Sequence, residues 1–475
     1  MPSLSPPSLP SPSKGNGIKL RRGRETGGEE VSRGNAEKKN EYIIARLKRE
    51  LASGEVLKRF RVKATDFTRR RVLSWQVVVG RILRGHKVSL QTAVNKFFSA
   101  LGEVWRGVTA SAYSQARQKV EPEVFVHLNE VACEEYYTRY GAEGEVELWH
   151  GQRLVGVDGS YFNLPDTEET RRLFSVQTNQ YAGGEQVQAL ASVLYDLRND
   201  LGLSAALGPK QAEKNLLFGH HWVATRAGDV LVCDRAYADY SVMAAIVAHQ
   251  CHFIIRLPRQ SFTAVNAFWA APEQECEVTL AVTSKARSYV KEQQLPTTLQ
   301  VRLIKVVLPT GEVEVLGTDL LDAQAYPAAE FGVVYGWRWN HETYHDRLKN
   351  IFEVERFSGS SLQAIKQDFY GVVFLATLES ILSKPAQAQL TARGEEREWT
   401  NPVKVNRAVS YIAVLDHVVE LLGDSRRTAG ETLAAIEHLM RTAPTHHRSG
   451  RRFPRRKRST AHRLRFAKYG KRLVA

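Results

Sequence analysis

One face of a long predicted helix carries charged residues, and this feature constrains the chain more than any other. Pro is absent from 328–384, so a long helix is expected around 333–352, with another helix at 361–382. At ~100° per residue, Tyr335, Arg338, Glu342 and Lys349 fall within roughly 60° of one another on the helix surface. The opposite arc is mostly apolar and contains Val333, Val334, Trp337, His341, Tyr344, Leu348, Ile351 and Phe352. The helix is therefore expected to pack on a core and to present a carboxylate, two cations and a phenol.

Two acidic residues elsewhere favour a functional interpretation of this face over that of an ordinary surface helix. Asp158 lies within an apolar strand predicted for 153–164, beside Gly159, and Asp234 ends a second apolar strand that begins at 228. A buried carboxylate is costly unless it is paired or binds a metal, whereas an Asp in a turn would carry no such meaning. In an α/β sheet, ligands bind in the crevice beyond the strand ends. We expect the two acids to meet there, with Glu342 as the third.

Three carboxylates from two strands and a helix are suited to hard divalent cations, which prefer oxygen ligands. A pair of such ions activates an attacking oxygen and stabilises a leaving one. The cations beside Glu342 would then bind substrate phosphates, and Arg338 has the planar geometry to do so with two hydrogen bonds. The residues themselves thus predict phosphoryl transfer on a polyanion.

Charge and cysteine usage narrow the class of protein. The net charge of +15 favours a polyanionic partner. The four Cys residues are far apart and form no C-x-x-C pair, which argues against a disulfide framework and a thiolate zinc site. Reduced thiols and the absence of 18 consecutive apolar residues predict a soluble, intracellular protein without a transmembrane helix.

Length and composition predict several regions in the 475 residues. They are a disordered basic leader (1–39), a helical DNA-binding region (40–148), an α/β core (149–395), a helical region (396–447) and a basic tail (448–475). The tail holds 12 Arg and Lys residues and no acid, which is typical of a nucleic-acid arm.

The coarse secondary structure places the acids in context. Helices are predicted at 41–51, 66–83, 89–101, 111–119 and 123–140, and Asp66 and Ser89 are expected to cap two of them. In the core, strands at 187–194 and 201–207 are followed by a helix at 210–218. Alternating β runs at 275–283, 299–308 and 312–318 predict an inserted β subdomain at about 257–325, between Asp234 and Glu342.

These residues carry a family resemblance. Tyr335, Arg338, Glu342 and Lys349 match the Y-(2)-R-(3)-E-(6)-K signature of IS4-family transposases in their spacing. The segments Val-Asp158-Gly-Ser and Val-Cys-Asp234-Arg-Ala-Tyr look like the two Asp regions of that family's DDE core. The resemblance covers about 150–385 well, and in 40–140 only the helical, basic character agrees.

The resemblance implies an RNase H-like catalytic core with an inserted β subdomain, flanked by helical regions, in a cut-and-paste DNA transposase. Asp158, Asp234 and Glu342 would be catalytic and bind two Mg²⁺ ions, with Mn²⁺ as a substitute. Tyr335, Arg338 and Lys349 would hold phosphates near the cleaved end, and Trp339 would either stack on a displaced base or simply pack.

The resemblance also implies the partners and the course of the reaction. One partner is double-stranded DNA, which includes both the inverted-repeat ends of the element and the target DNA. The other is a second copy of the chain in a homodimer. Water would nick the end, and the freed 3′-hydroxyl would attack, in some members through a hairpin. No membrane is involved, and the expected location is the cytoplasm, with association to the nucleoid through DNA.

Other interpretations stay open at this point. His341, Glu342 and His345 form an H-E-x-x-H match, which in zinc proteases supplies two metal ligands and a general base. His341 falls in the apolar arc, however, which suits a packed core histidine. A non-enzymatic DNA-binding relic of a transposase, or a plain nuclease of the same fold, would also carry the basic regions.

Overall fold

The computed structural model describes residues 26–85, 88–102, 107–178, 185–209, 217–307, 311–423 and 427–446. The protein is a mixed α/β structure in which helices surround one large sheet. No helix in these ranges is both long and apolar enough to cross a membrane.

The chain begins with helices. They are α1 (Thr26–Ala52), α2 (Gly54–Phe60), α3 (Trp75–Leu83), α4 (Leu90–Ala100), α5 (Ala110–Arg117) and α6 (Glu123–Gly141). Ser74, Ser89 and Thr109 cap α3, α4 and α5, because each side chain accepts a backbone N–H of the first turn. The apolar faces of these helices join the same buried core as the sheet.

Three strands that run in the same direction form the middle of the sheet. Strand β1 (Leu154–Asn163) pairs in parallel with β5 (Val230–Cys233), and β5 pairs in parallel with β6 (His252–Arg256). On the other side of β1, β3 (Glu185–Asp196) is antiparallel and pairs with β2 (Ser175–Thr178) and β4 (Leu201–Gly208). All four residues of β5 are buried, as expected for a strand covered on both faces.

Shorter elements connect these strands. Helix α7 (Glu168–Leu173) lies between β1 and β2, and α8 (Tyr240–Ala248) connects β5 to β6. A short π-helical turn (Leu217–His221) and two 3₁₀ turns (Trp222–Ala224 and Arg235–Tyr237) flank β5 in the chain.

The predicted insertion continues the central sheet on its far side. It holds α9 (Thr263–Ala270), β7 (Glu275–Ala281), α10 (Arg287–Glu292), β8 (Thr298–Val307) and β9 (Val313–Thr318). Strand β9 pairs with β6, then β8 with β9 and β7 with β8, all antiparallel. The residues between Asp234 and Glu342 thus extend the sheet that carries the two Asp residues.

The remaining elements are mostly helices. They are α11 (Ala328–Gly336), α12 (Trp339–Asn350), α13 (Leu362–Leu382), α14 (Lys384–Glu396), α15 (Arg407–Leu422) and α16 (Ala429–Thr442), with a small two-stranded sheet of β10 (Val403–Lys404) and β11 (Thr445–His446). Helix α13 is buried along most of its length because it packs between β4, α6 and α15.

The long helix predicted around 333–352 is wrong as a single element. Helix α11 ends at Gly336, and the N–H groups of Arg338, Asn340 and His341 bond three residues back instead of four. This tighter turn changes the direction of the chain before α12 begins at Trp339. As a result Val333, expected in the apolar arc, is 60% exposed.

Two other expectations need correction. The helix predicted at 66–83 begins only at Trp75, and the Asp66 carboxylate accepts the N–H of Lys63, closing a turn instead of capping a helix. Helix α1 starts at Thr26, so the disordered leader predicted for 1–39 does not extend to its expected end. Residues 1–25, 210–216 and 447–475, which include most of that leader, most of one predicted helix and the tail, lie outside the described residues.

Candidate active site

Asp158 and Asp234 occupy neighbouring positions on adjacent parallel strands. In the paired register of β1 and β5, Gly156 lies opposite Val232. Asp158 and Asp234 each follow two residues further along, and parallel strands lie ~4.8 Å apart. The register thus sets the two acids at the same level of the sheet.

Local backbone groups orient both carboxylates. Asp158 Oδ1 accepts the N–H of Gly159 at 2.9 Å. Asp234 is the first residue after β5 and caps a short 3₁₀ turn, accepting the N–H of Ala236 at 2.8 Å. Both side chains are half-buried. Each carboxylate therefore has a backbone partner that orients it, and each residue is partly exposed.

Helix α12 lies against β1 and carries the third acid. His345 Nε2 lies 3.3 Å from the main-chain oxygen of Asp158, and Lys349 Nζ donates to Ser160 Oγ at 2.6 Å. Residues three or four apart share a helix face, so Glu342 lies one turn before His345 on the side that contacts β1. The helix is held in register along the strand that carries Asp158.

Arg338 is a largely buried cation that pairs with Glu342. Arg338 Nη2 donates to Glu342 Oε1 at 2.9 Å, and the Arg338 side chain is only 12% exposed. Burial opposes charge on Arg338, but Tyr335, Glu342 and Asp158 outweigh burial and raise the pKa of Arg338 above its ordinary value. Arg338 is thus within electrostatic reach of carboxylates from both the helix and the central strand.

Tyr335 completes the group from the side of Asp234. It is buried, and burial, with a smaller contribution from the Asp234 carboxylate, raises the pKa of its phenol. Arg338 and Arg256 act in the opposite direction, and the Arg338 guanidinium lies 5.6 Å from the centroid of the ring. Arg256, the last residue of β6, pairs with Glu314 and was not singled out by the sequence analysis.

The donor set agrees with the chemistry of a divalent cation, although it is not gathered around one point. The described residues contain no group of three His, Cys, Asp or Glu side chains close enough to hold a metal. Carboxylate oxygens are the ligands that Mg²⁺ prefers, and the register of β1 and β5 sets Asp158 and Asp234 at the same level of the sheet. Glu342 is engaged by Arg338, so it would join them only after that ion pair opens.

The two His residues of the H-E-x-x-H match do not form a zinc site. Their rings stack at 4.8 Å with planes 20° apart. Metal bonds to imidazole lie in the ring plane, so nearly parallel stacked rings do not direct nitrogens at one ion. His341 is fully buried, burial lowers its pKa, and burial lowers the pKa of His345 to about 4. This geometry is that of packed core histidines.

The two Trp residues beside Arg338 differ in exposure. Trp339 is 54% exposed, with the Arg338 guanidinium 5.5 Å from its ring centroid. Trp337 is half-buried under Arg198, whose guanidinium lies 4.0 Å from its ring centroid. Of the two indoles, that of Trp339 is available for stacking on a ligand.

Comparisons with known proteins find similarity to transposases. Residues 149–378 match the family model described as a transposase DDE domain, a range that includes Asp158, Asp234, Tyr335, Arg338, Trp339, Glu342 and Lys349. The chain is 23% identical over 391 residues to the transposase InsG for insertion sequence element IS4 of Escherichia coli (strain K12), covering 80% of this chain and 83% of the relative. A cryo-EM structure of the piggyBac transposase synaptic complex with hairpin DNA aligns over 85% of both chains, at 7% identity and a TM-score of 0.38.

Proposed function

Since the chain belongs to the IS4 family of DDE transposases, we propose that it binds the terminal inverted repeats of its own insertion sequence, cleaves the ends and joins the 3′-hydroxyl to target DNA. The observation that carries this proposal is the register of β1 and β5, which sets Asp158 and Asp234 at the same level of the sheet, together with helix α12, which contacts β1 and carries Glu342 paired with Arg338.

The catalytic core is RNase H-like in this proposal. The support is the strand order β4-β3-β1-β5-β6, in which β1, β5 and β6 are parallel and β3 is antiparallel to its neighbours. Each Asp comes from one of the two adjacent parallel strands at the centre of this order. The strands β7, β8 and β9 are the counterpart of the predicted β insertion.

Asp158, Asp234 and Glu342 are the residues that would hold two Mg²⁺ ions, or Mn²⁺ in their place. Such ions activate an attacking oxygen and stabilise the leaving one. In the first step a water oxygen attacks phosphorus and the bond to the 3′-oxygen breaks. In the second step the freed 3′-hydroxyl attacks a phosphodiester of the target and displaces another 3′-oxygen. The protein's role is to hold the scissile phosphate against the three acids.

The cationic side chains perform that positioning. Arg338 binds a phosphate oxygen with its guanidinium once it leaves Glu342, and Lys349 contributes a point charge further along α12. Tyr335 lies beside Arg338, whose guanidinium is 5.6 Å from its ring centroid, and Trp339 offers an exposed ring to a displaced base. Arg338 would therefore pair with the Glu342 carboxylate before DNA binds and with a DNA phosphate afterwards.

The partners in this proposal are double-stranded DNA and a second copy of the chain. The net charge of +15 and the exposed cations on α2 (Lys58 and Arg59) and between α2 and α3 (Lys63, Arg69, Arg70 and Arg71) support contact with DNA. A homodimer that holds two ends together, and a location at the nucleoid, complete the proposal.

The test is cleavage of DNA that carries the element's own ends, with Mg²⁺, by wild type and by Asp158→Asn and Asp234→Asn. Both variants are expected to bind the ends and leave them uncut. Asp166→Asn, an exposed acid paired with Arg171, is the control and should cleave normally. Normal cleavage by either site variant removes that acid from the site. A wild type that binds the ends without cutting is a relic, and digestion of casein with zinc would indicate a protease.

A further inference from the structure

A buried charge network holds α12 on the side that faces away from Glu342. Arg347 follows Glu342 by five residues, which is ~140° around a helix. Its side chain is 10% exposed, and Nη1 donates to Asp200 Oδ2 at 2.8 Å. Nη2 donates to the hydroxyl of Tyr195 at 3.0 Å and to Asp200 Oδ1. This planar double contact fixes the helix in rotation as well as in position.

Asp200 joins two guanidinium groups. It lies in the turn between β3 and β4 with a positive φ of 64°, and it also accepts hydrogen bonds from Arg407 and from Ser380 Oγ. Burial alone would raise the pKa of Asp200, but the charges of Arg347 and Arg407 outweigh it and hold that pKa below its ordinary value. The carboxylate is thus an anion shared by two cations from different helices.

Arg407 connects this anion to the C-terminal helices. It is the first residue of α15, and its Nη1 donates to Glu379 Oε2 at 2.8 Å. Glu379 on α13 is fully buried and also accepts a hydrogen bond from Ser410 of α15. Residue 407 lies beyond the matched transposase domain, which ends at 378. Arg407, a residue from outside that domain, is thus connected to α12 through Asp200 and Arg347.

A second route leads from the network to Asp158. The ring of Tyr195, whose hydroxyl contacts Arg347 and Asp200, stacks on His341 with centroids 5.3 Å apart and planes 13° apart. His341 stacks on His345, whose Nε2 contacts the Asp158 main-chain oxygen. A displacement of Arg347 would therefore be transmitted to the face of α12 that lies on β1.

We propose that Arg407 is a positioning residue for the site helix, which it holds through Asp200 and Arg347 so that Glu342 faces Asp158 and Asp234. The role assigned to Glu342 rests on the proposed function, whereas the contact chain does not. Loss of Arg407 leaves Asp200 with one cation instead of two. A buried carboxylate that loses one of its positive partners is less stable in its place, so Asp200 would attract water or shift. The turn between β3 and β4 and the Arg347 side chain would then move with it.

Hydrogen exchange in the free, full-length protein tests the positioning directly. We expect Arg407→Gln to speed exchange of the α12 amides by about tenfold or more, because the helix opens locally more often. Arg407→Lys keeps the positive charge but loses the planar guanidinium group, so its α12 amides should exchange at a rate between those of wild type and Arg407→Gln. Arg441→Gln is the matched control: it removes a C-terminal Arg that contacts Gln389 and Glu437 and leaves Asp200 untouched.

Single-turnover cleavage at saturating DNA and Mg²⁺ gives the functional readout. We expect Arg407→Gln to lower the cleavage rate about tenfold while DNA affinity stays unchanged, because the change acts on the geometry of Glu342 and not on a DNA contact. Arg441→Gln should retain the rate of wild type.

Exchange of α12 at the wild-type rate in Arg407→Gln would overturn the proposal, as would equal acceleration by Arg441→Gln or acceleration spread over the whole chain. If Arg407→Gln does not fold, Arg407→Lys decides: α12 exchange at the wild-type rate contradicts the proposal. A wild type that fails to cleave contradicts the proposed function, and the exchange data still decide the positioning role.

Discussion

Arg338 Nη2 donates to Glu342 Oε1 at 2.9 Å, so the acid proposed as a metal ligand is paired with the cation proposed to bind phosphate. The pair spans one turn at the start of α12, and Arg338 is far more buried than Glu342. Phosphate and metal would therefore arrive together, because the phosphate takes Arg338 away from Glu342 and leaves the carboxylate free for metal.

The first prediction concerns this ion pair. Arg338→Gln removes the cation that competes for Glu342, so Mn²⁺ should bind the DNA-free protein about two- to fivefold more tightly, as expected for ~0.5–1 kcal/mol of ion pairing. Cleavage should fall because the phosphate contact is lost. Arg356→Gln breaks the nearby Arg356–Glu353 pair and serves as control. Unchanged Mn²⁺ affinity in Arg338→Gln, measured by calorimetry, would contradict the competition.

Lys349 provides the second prediction. Lys349→Met should weaken binding of end DNA and reduce the slope of log K against log salt by about 1, since one phosphate contact is lost. Ser160→Ala removes the hydroxyl that accepts from Lys349 Nζ but keeps the charge, so its slope should match wild type. Fluorescence anisotropy over a salt series measures both, and equal slopes in Lys349→Met and wild type would exclude the contact.

The third prediction separates the two Trp residues. Trp339→Ala should change the free energy of unfolding by less than about 0.5 kcal/mol because its ring is largely exposed, yet weaken DNA binding about tenfold if the ring stacks on a base. Trp337→Ala should destabilise the fold by about 1–3 kcal/mol, since its ring packs under Arg198. Quenching of 2-aminopurine in the end DNA that survives in Trp339→Ala would rule out stacking.

A fourth prediction concerns acid stability. His221 is buried between Ser192 Oγ, at 2.9 Å, and Ser204 Oγ, at 3.0 Å, and burial lowers its pKa from 6.5 to about 3. Between these values the unfolded chain binds a proton that the folded chain does not, so stability falls as pH decreases through this window. His221→Gln should make the loss between about pH 6.5 and about pH 4 shallower.

The matched control for this change is His438→Gln, an exposed histidine on α16. Urea midpoints across the same pH range give the slopes of wild type and both variants. A slope in His221→Gln as steep as that of wild type would show that His221 does not contribute to the acid response.

Asp158 and Asp234 could be singled out from the sequence because each of them follows a local rule. Asp158 interrupts an apolar strand and Asp234 ends one, and a carboxylate in such a place is costly unless it is paired or binds a metal. Ser89 precedes an apolar-periodic run and caps α4 as expected. The family resemblance is confirmed by the match to the transposase DDE domain and by the IS4 relative.

Features that depend on distant partners were not predictable in this way. Backbone hydrogen bonds of the 3₁₀ type separate α11 from α12, and no Pro in the sequence marks this break. Arg347 and Arg407 both bind Asp200, from 147 and 207 residues away in the chain, so no local pattern brings them together. The alternation in β9 predicted a strand but not its partner, and only pairing with β6 attaches it to the central sheet.

The measurement that tests the central claim most directly is Mg²⁺-dependent cleavage of DNA bearing the element's own ends, by wild type and Glu342→Gln side by side. Asp346→Asn, which changes an exposed acid on the same helix that accepts a hydrogen bond from Asn350, is the matched control. The account predicts cleavage at the ends by wild type and Asp346→Asn, and DNA binding without cleavage by Glu342→Gln. Cleavage by Glu342→Gln at the rate of wild type would contradict it.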